Sequence, residues 1–597
     1  MAVKFTHSDI SRLYEAPIPS TRTGALYNAF SYPTKISPEA EAIYIACHTQ
    51  PGDRVLDPFG GSGTTGIATM LCDCPTPGMK EMADKLGLHP IWGKRDAVVY
   101  EISTVGALLG KVMCETDATA FRKAASSLLN ECKEYATTLY SIKDEANNIG
   151  QIRHIIWTEL LECPNCNSEI NYAQTAVKEN PIEFMDEIHC PHCGTMISTS
   201  TAKRACEDFH DRILNQSINR RKRIPYKIYG VTGKCKWSRY ATEEDIAKYT
   251  ELEKSINLSQ FPIVPIKWGE LFRQGYHHGI SHLHHFYTYR NAAMMSYLWA
   301  KIKDYPCTIQ DALKIFVLSY NHAHSTLMTR VVAKKNSKDF VLTGAQSGVL
   351  YISSLPVEKN IYLGLVRKLK TFVDSFSLLS GSKSTSTFVN GSSTNMCQIA
   401  DKSIDYIFTD PPFGDFIPYS EINQINEGWL GKLTEADNEV IINPKAGKDL
   451  NSYSCLMNSV FAEATRVLKN SGRFTLVFHS AKAQIWQSII AAYNQNGFMV
   501  NRATILDKVQ KTFKQTNSNV TVKGDPLILL QKESSEPLCS EFNSDLEVAD
   551  FLIKKHSEEP DSKDKSTKLF SNYIITCIGQ GLAITLDAKY FFNNEEA

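Results

Sequence analysis

A short apolar run at Arg54–Asp57 leads directly into a glycine-rich turn, Pro58-Phe59-Gly60-Gly61-Ser62-Gly63-Thr64-Thr65. Residues 66–70 then begin a helix, and a second apolar run at 97–100 ends on the acid Glu101. A strand, a glycine turn, a helix and a second strand that ends on an acid form the nucleotide-binding half of a doubly wound sheet. The sequence therefore predicts an α/β fold with parallel strands in this region.

The α/β pattern stops after residue 114 and resumes near residue 381. In the second stretch, helices are predicted at 460–468 and 485–493, and strands at 387–389, 405–409, 473–478, 498–504 and 526–530. The simplest arrangement is one sheet domain made of residues 1–114 (cofactor half) and 381–535 (catalytic half). Residues 115–380 are then a large insertion. Residues 536–597 are predicted to form a small C-terminal element that includes a polar linker at 556–568.

Charge and hydropathy exclude several classes of protein. The 597 residues include 64 Lys plus Arg and 64 Asp plus Glu, so a polyanion would have to meet a local basic patch. No run of about 18 apolar residues and no apolar signal segment is found, which predicts a cytoplasmic protein that does not bind membranes. Twelve of the 16 cysteines are scattered, as expected for reduced thiols in that compartment.

The glycines at 60, 61 and 63 allow the backbone to approach a ligand closely, and the helix N-terminus after them favours a polar or anionic group. Glu101 is placed to accept hydrogen bonds from ribose hydroxyls. The string lacks both the G-x-G-x-x-G spacing of dinucleotide sites and the G-K-[ST] of a P-loop. For the glycine pattern taken alone, a purely structural turn remains the alternative.

A second polar turn, Asp410-Pro411-Pro412-Phe413, follows the strand predicted at 405–409. The two prolines fix the backbone, so the Asp410 side chain and a prolyl carbonyl are expected to face one crevice. Such a pair of acceptors suits an exocyclic amino group, and Phe413 offers a flat face on which a base can stack. An ordinary turn is the alternative for this motif taken alone, and the combination with the glycine turn favours the functional interpretation.

Several segments resemble the amino-group DNA methyltransferases that use S-adenosylmethionine, and among these the adenine-specific methylases with a zinc ribbon. The segments are residues 51–65, residues 283–291, Phe30-Ser31-Tyr32-Pro33-Thr34-Lys35 and Thr409-Asp410-Pro411-Pro412-Phe413-Gly414. The resemblance implies a Rossmann-like methyltransferase sheet of the α/β class, interrupted by a large α+β insertion that carries a zinc ribbon. Phe413 stands where the family more commonly has tyrosine, which leaves both adenine and cytosine open as the target base.

For the cofactor, the resemblance implies a set of residues from both halves of the sheet: Pro33, Lys35, Asp57, Pro58, Phe59, Gly60, Gly61, Gly63, Thr64, Glu101 and Ser392. Within this set, Asp57 and the glycines meet the methionine part of S-adenosylmethionine and Glu101 holds its ribose. Pro33 and Lys35 belong to the segment that closes over the methionyl end. Asn390 and Ser392 lie near the adenine of the cofactor.

For catalysis, the resemblance implies the loop Asp410, Pro411, Pro412 and Phe413. Asp410 and Pro411 hold the target amine, and Phe413 stacks on the base, which must leave the duplex because its amino group is otherwise buried in pairing. Methyl transfer is then a direct in-line displacement at the sulfonium carbon. Its rate comes mainly from positioning and preorganised acceptors, and no cysteine nucleophile is needed.

Two cysteine pairs, Cys163-Pro164-Asn165-Cys166 and Cys190-Pro191-His192-Cys193, are separated by 23 residues. Each pair can bind a metal from a tight turn, and four thiolates complete a tetrahedral site with no position open for catalysis. The spacing predicts a structural Zn²⁺ in a ribbon at about residues 160–196. Redox use of the pairs is the weaker alternative.

Residues 220–240 form a basic run with interleaved aromatics, and no acid occurs between 220 and 239. We predict phosphate contacts from this run, with a solvated face as the alternative; the predicted DNA-binding residues are Arg220, Arg221, Lys222, Arg223 and Lys227. The histidines at 277, 278, 282, 284 and 285 are interpreted as polar contacts or core positions of a packed segment, not as metal ligands.

Together these features predict a site-specific, adenine-specific DNA methyltransferase that uses S-adenosylmethionine and acts on double-stranded DNA by base flipping. The alternatives are a cytosine-N4 DNA methyltransferase, an RNA base amino-methyltransferase, and a non-catalytic DNA-binding subunit. The intact Asp410-Pro411-Pro412 and glycine turn speak against the last of these. No convincing nuclease or helicase motif is present, so a role in a restriction-modification or defence system would require partner proteins.

Overall fold

The computed structural model of the protein describes residues 12–14, 18–19, 23–33, 35–179, 181–325, 329, 331–334, 337–342, 349–350, 352–415, 417–506, 524–532, 541–557 and 565–593. Thr34 and parts of the predicted C-terminal element (536–540, 558–564 and 594–597) lie outside these residues. The chain divides into two compact units. The sheet unit contains Met1–Ala118, Asp374–Ser420 and Thr434–Ala597, and the insertion unit contains Thr119–Val373 and Glu421–Leu433.

A seven-stranded sheet forms the centre of the sheet unit. Its strands, in chain order, are β1 Arg54–Asp57, β2 Asp96–Glu101, β3 Thr385–Asn390, β4 Ile404–Thr409, β5 Leu468–Val477, β6 Met499–Leu506 and β7 Asp525–Gln531. Their order across the sheet is β3-β2-β1-β4-β5-β7-β6. β1 to β5 are parallel, and β7 is antiparallel to both of its neighbours. The predicted α/β class and all seven predicted strands are confirmed.

The strand order reverses between β1 and β4, which pair with Leu56 opposite Ile407. In doubly wound sheets a ligand binds outside the carboxyl ends of the strands at such a switch point. β1 ends at Asp57 and β4 ends at Thr409, so the glycine turn and the Asp410 turn leave the sheet from adjacent strand ends. The topology therefore brings together two motifs that are far apart in the sequence.

Helices lie before, between and after these strands. Those wholly within the sheet unit are Ala25–Asn28, Pro38–His48, Thr64–Asp73, Pro77–Lys85, Thr104–Glu115, Leu450–Val467, Ala483–Gln495, Asp545–Ser557, Lys565–Gly579 and Ala588–Asn593. Ser37 caps the second of them by accepting a hydrogen bond from the Ala40 amide. The helix predicted at 460–468 begins earlier, at Leu450, because the Asp449 carboxylate caps it through the Ser452 amide at 2.8 Å.

The C-terminal helices are part of the same hydrophobic core as the sheet. Leu569, Tyr573 and Cys577, spaced four residues apart, place one apolar face of Lys565–Gly579 in the core that also contains Phe474. This helix packs against β6 and β7. The C-terminal residues thus complete the sheet unit, a role that their polar flanking sequence did not indicate.

The insertion unit is built around an antiparallel sheet. Its central strand, Ile149–Glu162, pairs with Arg223–Thr232, Val357–Lys359, Ser141–Lys143 and Glu169–Asn171, and Arg223–Thr232 pairs with Cys235–Tyr240. Two-stranded ribbons pair Glu187–His189 with Met196–Ser198, Cys206–Asp211 with Gln216–Arg221, Val177–Lys178 with Glu183–Phe184 and Val331–Val332 with Val341–Leu342.

The helices wholly within the insertion unit are Tyr172–Ala176, Glu243–Ser255, Tyr289–Ile302, Cys307–Leu318 and Asn321–His324. Three further helices, Ala118–Leu139, Ile361–Leu379 and Tyr419–Leu430, contain residues of both units. Short 3₁₀ helices occur at Leu283–Phe286, Ala436–Asn438 and Pro444–Ala446. None of the described helices combines the length and apolar character needed to cross a membrane.

A pair of phenylalanine substitutions tests the packing of the C-terminal helices. Phe570 is 1% exposed and Phe551 is 50% exposed. We expect Phe570→Ala to lower the free energy of unfolding of the sheet unit by about 3–5 kcal/mol, because it removes a buried ring and leaves a cavity. Phe551→Ala should change it by no more than about 0.5 kcal/mol. Urea denaturation followed by circular dichroism measures both, and equal effects would contradict the shared core.

Candidate functional site

A cavity lies at the carboxyl ends of the parallel strands in the sheet unit. The predicted cofactor and catalytic residues in its wall are Pro33, Lys35, Asp57, Pro58, Phe59, Gly60, Gly61, Thr64, Glu101, Ser392, Asp410 and Pro412. Gly63, Pro411 and Phe413 are not part of the wall. One cavity therefore gathers most of the residues predicted from two distant segments.

The glycine turn is shaped by close packing against β2. The Gly60 amide donates to the Tyr100 carbonyl at 2.8 Å, and a side chain at Gly60 would place its Cβ 2.1 Å from Val99 Cγ1. Gly61 and Gly63 have φ of 51° and 78°, in the left-handed region that favours glycine. Gly63 therefore allows the backbone conformation of the turn, while Gly61, Ser62 and Thr64 line the cavity.

Asp57 holds the two motifs together. Its Oδ1 accepts hydrogen bonds from the Phe59 amide at 2.9 Å and the Thr409 hydroxyl at 2.6 Å, and its Oδ2 accepts from the Thr65 hydroxyl at 2.6 Å. Burial raises the pKa of Asp57, although these hydrogen bonds oppose the effect. The carboxylate therefore ties β1, the glycine turn, the following helix and the end of β4 to one point.

Glu101 ties the glycine turn to the end of β2. Its Oε2 accepts from the Gly61 amide at 2.6 Å and its Oε1 from the Ser103 amide at 2.7 Å. A carboxylate oxygen can accept more than one hydrogen bond, so binding of ribose hydroxyls is compatible with this geometry and stays a prediction. Asn390 instead donates its side-chain amide to the Glu101 and Ile102 carbonyls, while Ser392 lines the cavity.

The Asp410 turn is held from both sides within the sheet unit. The Tyr453 hydroxyl donates to the Pro412 carbonyl at 3.0 Å, and the Ile442 amide donates to the Gly414 carbonyl at 3.1 Å. Phe413 is 8% exposed and packs edge-on against Phe478, with ring centroids 5.7 Å apart. The structure thus places Phe413 in the hydrophobic core and not as an accessible stacking face, which corrects the expectation from the sequence.

Four aromatic residues line the cavity: Tyr32, Phe59, Phe408 and Tyr419. Tyr32 and Tyr419 both line it, and their rings are stacked with centroids 6.4 Å apart and planes at 17°. Tyr32 lies in the segment that resembles the methyltransferase family, so its position was available from the sequence. Tyr419 lies outside every predicted motif, and no local pattern indicated it.

The sequence reasoning also missed Glu41, which lines the cavity from the helix Pro38–His48. Glu41 is 2% exposed. A signal was present, because Glu41 is the one charged residue in the otherwise apolar run at residues 40–47. A single acid in an apolar, buried stretch of helix indicates that its side chain meets a polar group from outside that stretch.

The charged residues of the cavity wall are five acids and one lysine: Lys35, Glu41, Asp57, Glu101, Asp410 and Glu439. The Lys35 ammonium donates to the Leu26 carbonyl at 2.9 Å. A wall with this excess of carboxylates favours a ligand with positive charge and disfavours phosphate groups, whose charge would be repelled at short range.

The four cysteines Cys163, Cys166, Cys190 and Cys193 meet in the insertion unit. Their sulfurs all lie within 4.8 Å of one another, and the Cys163–Cys193 and Cys166–Cys190 Sγ distances are 3.6 Å and 3.7 Å. A tetrahedron with metal–sulfur distances of about 2.3 Å has sulfur–sulfur edges of about 3.8 Å. The donor set and its spacing therefore fit a zinc ion.

The two cysteine turns share one geometry. In the first, the Asn167 amide donates to the Cys163 carbonyl at 3.0 Å, and in the second the Gly194 amide donates to the Cys190 carbonyl at 2.9 Å. Asn167 and Gly194 both have positive φ, 57° and 76°. Two equivalent turns that present four thiols to one point are the arrangement that the paired C-x-x-C motifs predict.

The predicted DNA-binding residues of the basic run form ion pairs with acids of the insertion unit. Each predicted DNA-binding residue forms an ion pair: Arg220 with Glu207 and Glu253, Arg221 and Arg223 with Glu159, Lys222 with Glu169, and Lys227 with Asp339. The Arg221 and Arg223 side chains are only 7% and 19% exposed. Acids outside the run therefore pair with all five predicted residues, and contact of these residues with DNA stays a prediction.

Asp211, His284 and His285 form a second cluster with metal-binding side chains. The Nδ1 of His285 accepts hydrogen bonds from the backbone amides of Ser281 and His282, so its Nε2 carries the proton and donates to Asp211 Oδ2 at 2.8 Å. That tautomer leaves Nε2 no lone pair for a metal. Burial raises the pKa of Asp211, but hydrogen bonds from both histidines hold it well below its usual range. We interpret the cluster as a polar anchor of the fold.

Residues 8–73 match the family model described as DNA methylase, N6_N4_Mtase. This segment contains both the glycine turn and the Phe30–Lys35 motif, so the resemblance to amino-group DNA methyltransferases is confirmed there. A search of curated proteins gave no match.

Among solved structures, the chain is similar over limited stretches to three proteins. They are the antibiotic-resistance methyltransferase Kmr (10% identity, 26% of this chain, 62% of that chain, TM-score 0.15), geranyl diphosphate C-methyltransferase from Streptomyces coelicolor A3(2) (9%, 25%, 55%, 0.14) and PH0851 (11%, 40%, 66%, 0.17). The chain spans less than two thirds of the length of each. Similarity at this level does not bear on the function of this chain.

The role of Glu159 can be tested by Glu159→Gln. The substitution leaves the buried guanidiniums of Arg221 and Arg223 without their counter-charge, so we expect a loss of about 3–5 kcal/mol in the free energy of unfolding of the insertion unit. Glu162→Gln is the control, because its ion pair with the exposed Lys203 should contribute less than about 1 kcal/mol. Chemical denaturation measures both.

The same carboxylate sets a pH dependence. Burial raises the pKa of Glu159, but Arg223, Arg221 and Arg204 lower it overall below its usual value. Its contribution to stability is therefore present above the pKa of the unfolded state and is lost as the pH falls through the lower folded-state pKa. A wild-type stability that does not fall more steeply with acid than that of Glu159→Gln would contradict this role.

Proposed function

We propose that this protein is an S-adenosylmethionine-dependent DNA methyltransferase that methylates an exocyclic amino group, with adenine N6 as the first candidate. The observation that carries the proposal is the hydrogen bond between Asp57 and Thr409, which are 352 residues apart in the sequence. It joins the glycine turn to the residue before Asp410 at one cavity. A cofactor loop and an amine-holding loop at adjacent strand ends are what direct methyl transfer needs.

The charge of the cavity supports the cofactor assignment. S-adenosylmethionine carries a sulfonium and an ammonium against one carboxylate, so its net charge suits a wall with five acids and one lysine. Nucleotide cofactors with phosphate groups do not suit it. When bound, the cofactor supplies an electrophilic methyl group. The glycine turn, Glu101 and the segment with Pro33 and Lys35 are the residues that would hold it.

Asp410 is the residue that we propose for the target amine. Its carboxylate accepts a hydrogen bond from the amino group, which orients the nitrogen lone pair and takes charge from the nitrogen as it becomes cationic. Pro412, fixed by the Tyr453 hydroxyl, keeps the turn rigid. The stacked Tyr32 and Tyr419 offer the aromatic surface that Phe413 does not expose.

Double-stranded DNA is the proposed substrate because the matched family is a DNA methylase. The amine of a paired base is inaccessible in the duplex, so base flipping follows. A cytosine-N4 enzyme would use the same loop, and an RNA base methyltransferase is the second alternative. A cytoplasmic location and a restriction-modification or defence role with partner proteins remain predictions from the sequence.

We further infer that Cys163, Cys166, Cys190 and Cys193 bind one structural zinc ion. Their spacing fits tetrahedral coordination, and a site closed by four thiolates has no position for a substrate. Around it, Leu161, Ile170, Ile188 and Ile197 form a small core, which metal binding would stabilise.

Asp410→Ala tests the catalytic assignment. We expect incorporation of tritiated methyl groups into unmethylated duplex DNA to fall by at least about 100-fold, because the acceptor for the amine is lost, while S-adenosylmethionine binding persists. Asp415→Ala is the matched control, since Asp415 pairs with Lys482 at an exposed position. Mass spectrometry of the methylated nucleosides then separates adenine N6 from cytosine N4, and an RNA substrate tests the second alternative. An Asp410→Ala variant with wild-type activity would show that the active site lies elsewhere.

The zinc inference predicts about one zinc per chain by elemental analysis. The double variant Cys163→Ser/Cys190→Ser should lose the metal and show a less stable insertion unit, because the site loses half of its ligands. Cys307→Ser, at an exposed cysteine elsewhere in that unit, should keep the metal. Zinc at wild-type content in the double variant would refute the four-cysteine site.

A further inference from the structure

Glu41 is the most unusual charged residue of the cavity wall. It lies on the helix Pro38–His48, its side chain is 2% exposed, and its Oε1 has no hydrogen-bond partner among the described residues. A buried carboxyl oxygen without a partner costs free energy in the folded protein. Because the same residue lines the cavity, a bound ligand is the natural source of a compensating charge.

The groups around Glu41 define its charge before a ligand binds. Burial is the main cause that raises the pKa of Glu41 well above its ordinary value, and the carboxyl groups of Asp57 and Asp410 raise it further, while the nearby Thr65 hydroxyl opposes the shift. Lys35, the lysine of the cavity wall, donates to a backbone carbonyl. Burial and the neighbouring carboxyl groups therefore favour the protonated form of Glu41 in the ligand-free protein.

The position of Glu41 relative to Asp410 indicates which part of a ligand it meets. If Asp410 holds the target amine, the methyl carbon must lie about 3–3.5 Å from that nitrogen, and the sulfonium lies one bond beyond. Glu41, Asp57 and Asp410 all line the same cavity, and both aspartates are close enough to raise the pKa of Glu41. A cationic sulfur placed there stabilises the ionised form of Glu41, and a neutral sulfur does not.

We propose that Glu41 is a specificity-determining residue that distinguishes the sulfonium of the methyl donor from the neutral thioether left after transfer. The proposal rests on the proposed function. When the sulfonium binds, the Glu41 carboxyl releases its proton to solvent and the carboxylate becomes the charge partner of the sulfur. When the thioether binds, the carboxyl keeps its proton. Glu41 thereby favours the donor over the spent product, which share every other group.

Calorimetry tests this directly. S-adenosylmethionine and S-adenosylhomocysteine are titrated into the full chain at pH 7 in two buffers of different ionisation enthalpy, which reports the protons released. We expect wild-type protein to release more protons with S-adenosylmethionine than with S-adenosylhomocysteine. Protons released by the shared amino acid part cancel in this difference.

The variant Glu41→Gln should lose that difference in proton release. Its affinity for S-adenosylmethionine should fall about tenfold, the scale of a lost interaction with a charged group, while its affinity for S-adenosylhomocysteine changes little. Glu39→Gln is the matched control, because Glu39 lies on the same helix, does not line the cavity and binds the Ser37 hydroxyl. It should behave as wild type.

Two results would overturn the inference while leaving the proposed function intact. One is wild-type protein that binds both ligands with equal proton release, a measurement that needs no variant to fold. The other is a Glu41→Gln protein that keeps the wild-type ratio of the two affinities. Wild-type protein that binds neither ligand would instead overturn the proposed function and, with it, this inference.

Discussion

The carboxylate of Asp57 is the interaction on which the cavity depends. It accepts hydrogen bonds from the Phe59 amide, the Thr65 hydroxyl and the Thr409 hydroxyl, so three segments of the sheet unit share one buried anion. An isolated buried carboxylate is costly, and these three donors are what make its burial acceptable. Without them, the glycine turn and the Asp410 turn would lose the link that sets their spacing.

The excess of acids around that anchor gives the cavity its selectivity. Glu41, Glu101, Asp410 and Glu439 join Asp57 in the wall, and Lys35 is engaged with a backbone carbonyl. Such a wall destabilises anionic ligands and stabilises cations, and the effect is strongest where water is excluded. The same acids that would favour a sulfonium cofactor also raise the pKa of Glu41, so our two proposals for this cavity depend on one set of carboxyl groups.

In the insertion unit, unlike in the cavity wall, charged side chains of opposite sign are paired. Glu159 forms ion pairs with Arg221 and Arg223. The Arg220 Cζ lies 3.5 Å from the centroid of the Phe209 ring, and its guanidinium pairs with Glu207 and Glu253. Each of these charges therefore has a counter-charge within the unit, so removing Glu159 alone would leave buried guanidinium groups uncompensated. The cysteine turns provide the second anchor of this unit, because four thiols converge where its hydrophobic core is small.

The sequence by itself determined the features whose physical cause is local. Glycine-rich turns, proline-fixed turns and paired C-x-x-C turns depend on neighbouring residues, so Asp57, Glu101, Asp410 and the four cysteines could be singled out before the fold was known. Only the tertiary structure decided the features that depend on distant partners. Arg221 and Arg223 pair with Glu159, which is more than 60 residues away in the sequence. The amino-acid composition of the basic run therefore could not reveal this pairing. Phe413 packs against Phe478 in the core, and the acidic neighbours of Glu41 come from the end of β1 and from the turn after β4. The burial and the electrostatic environment of a side chain depend on the residues that surround it in space. For Arg221, Arg223, Phe413 and Glu41, those residues are distant in the sequence.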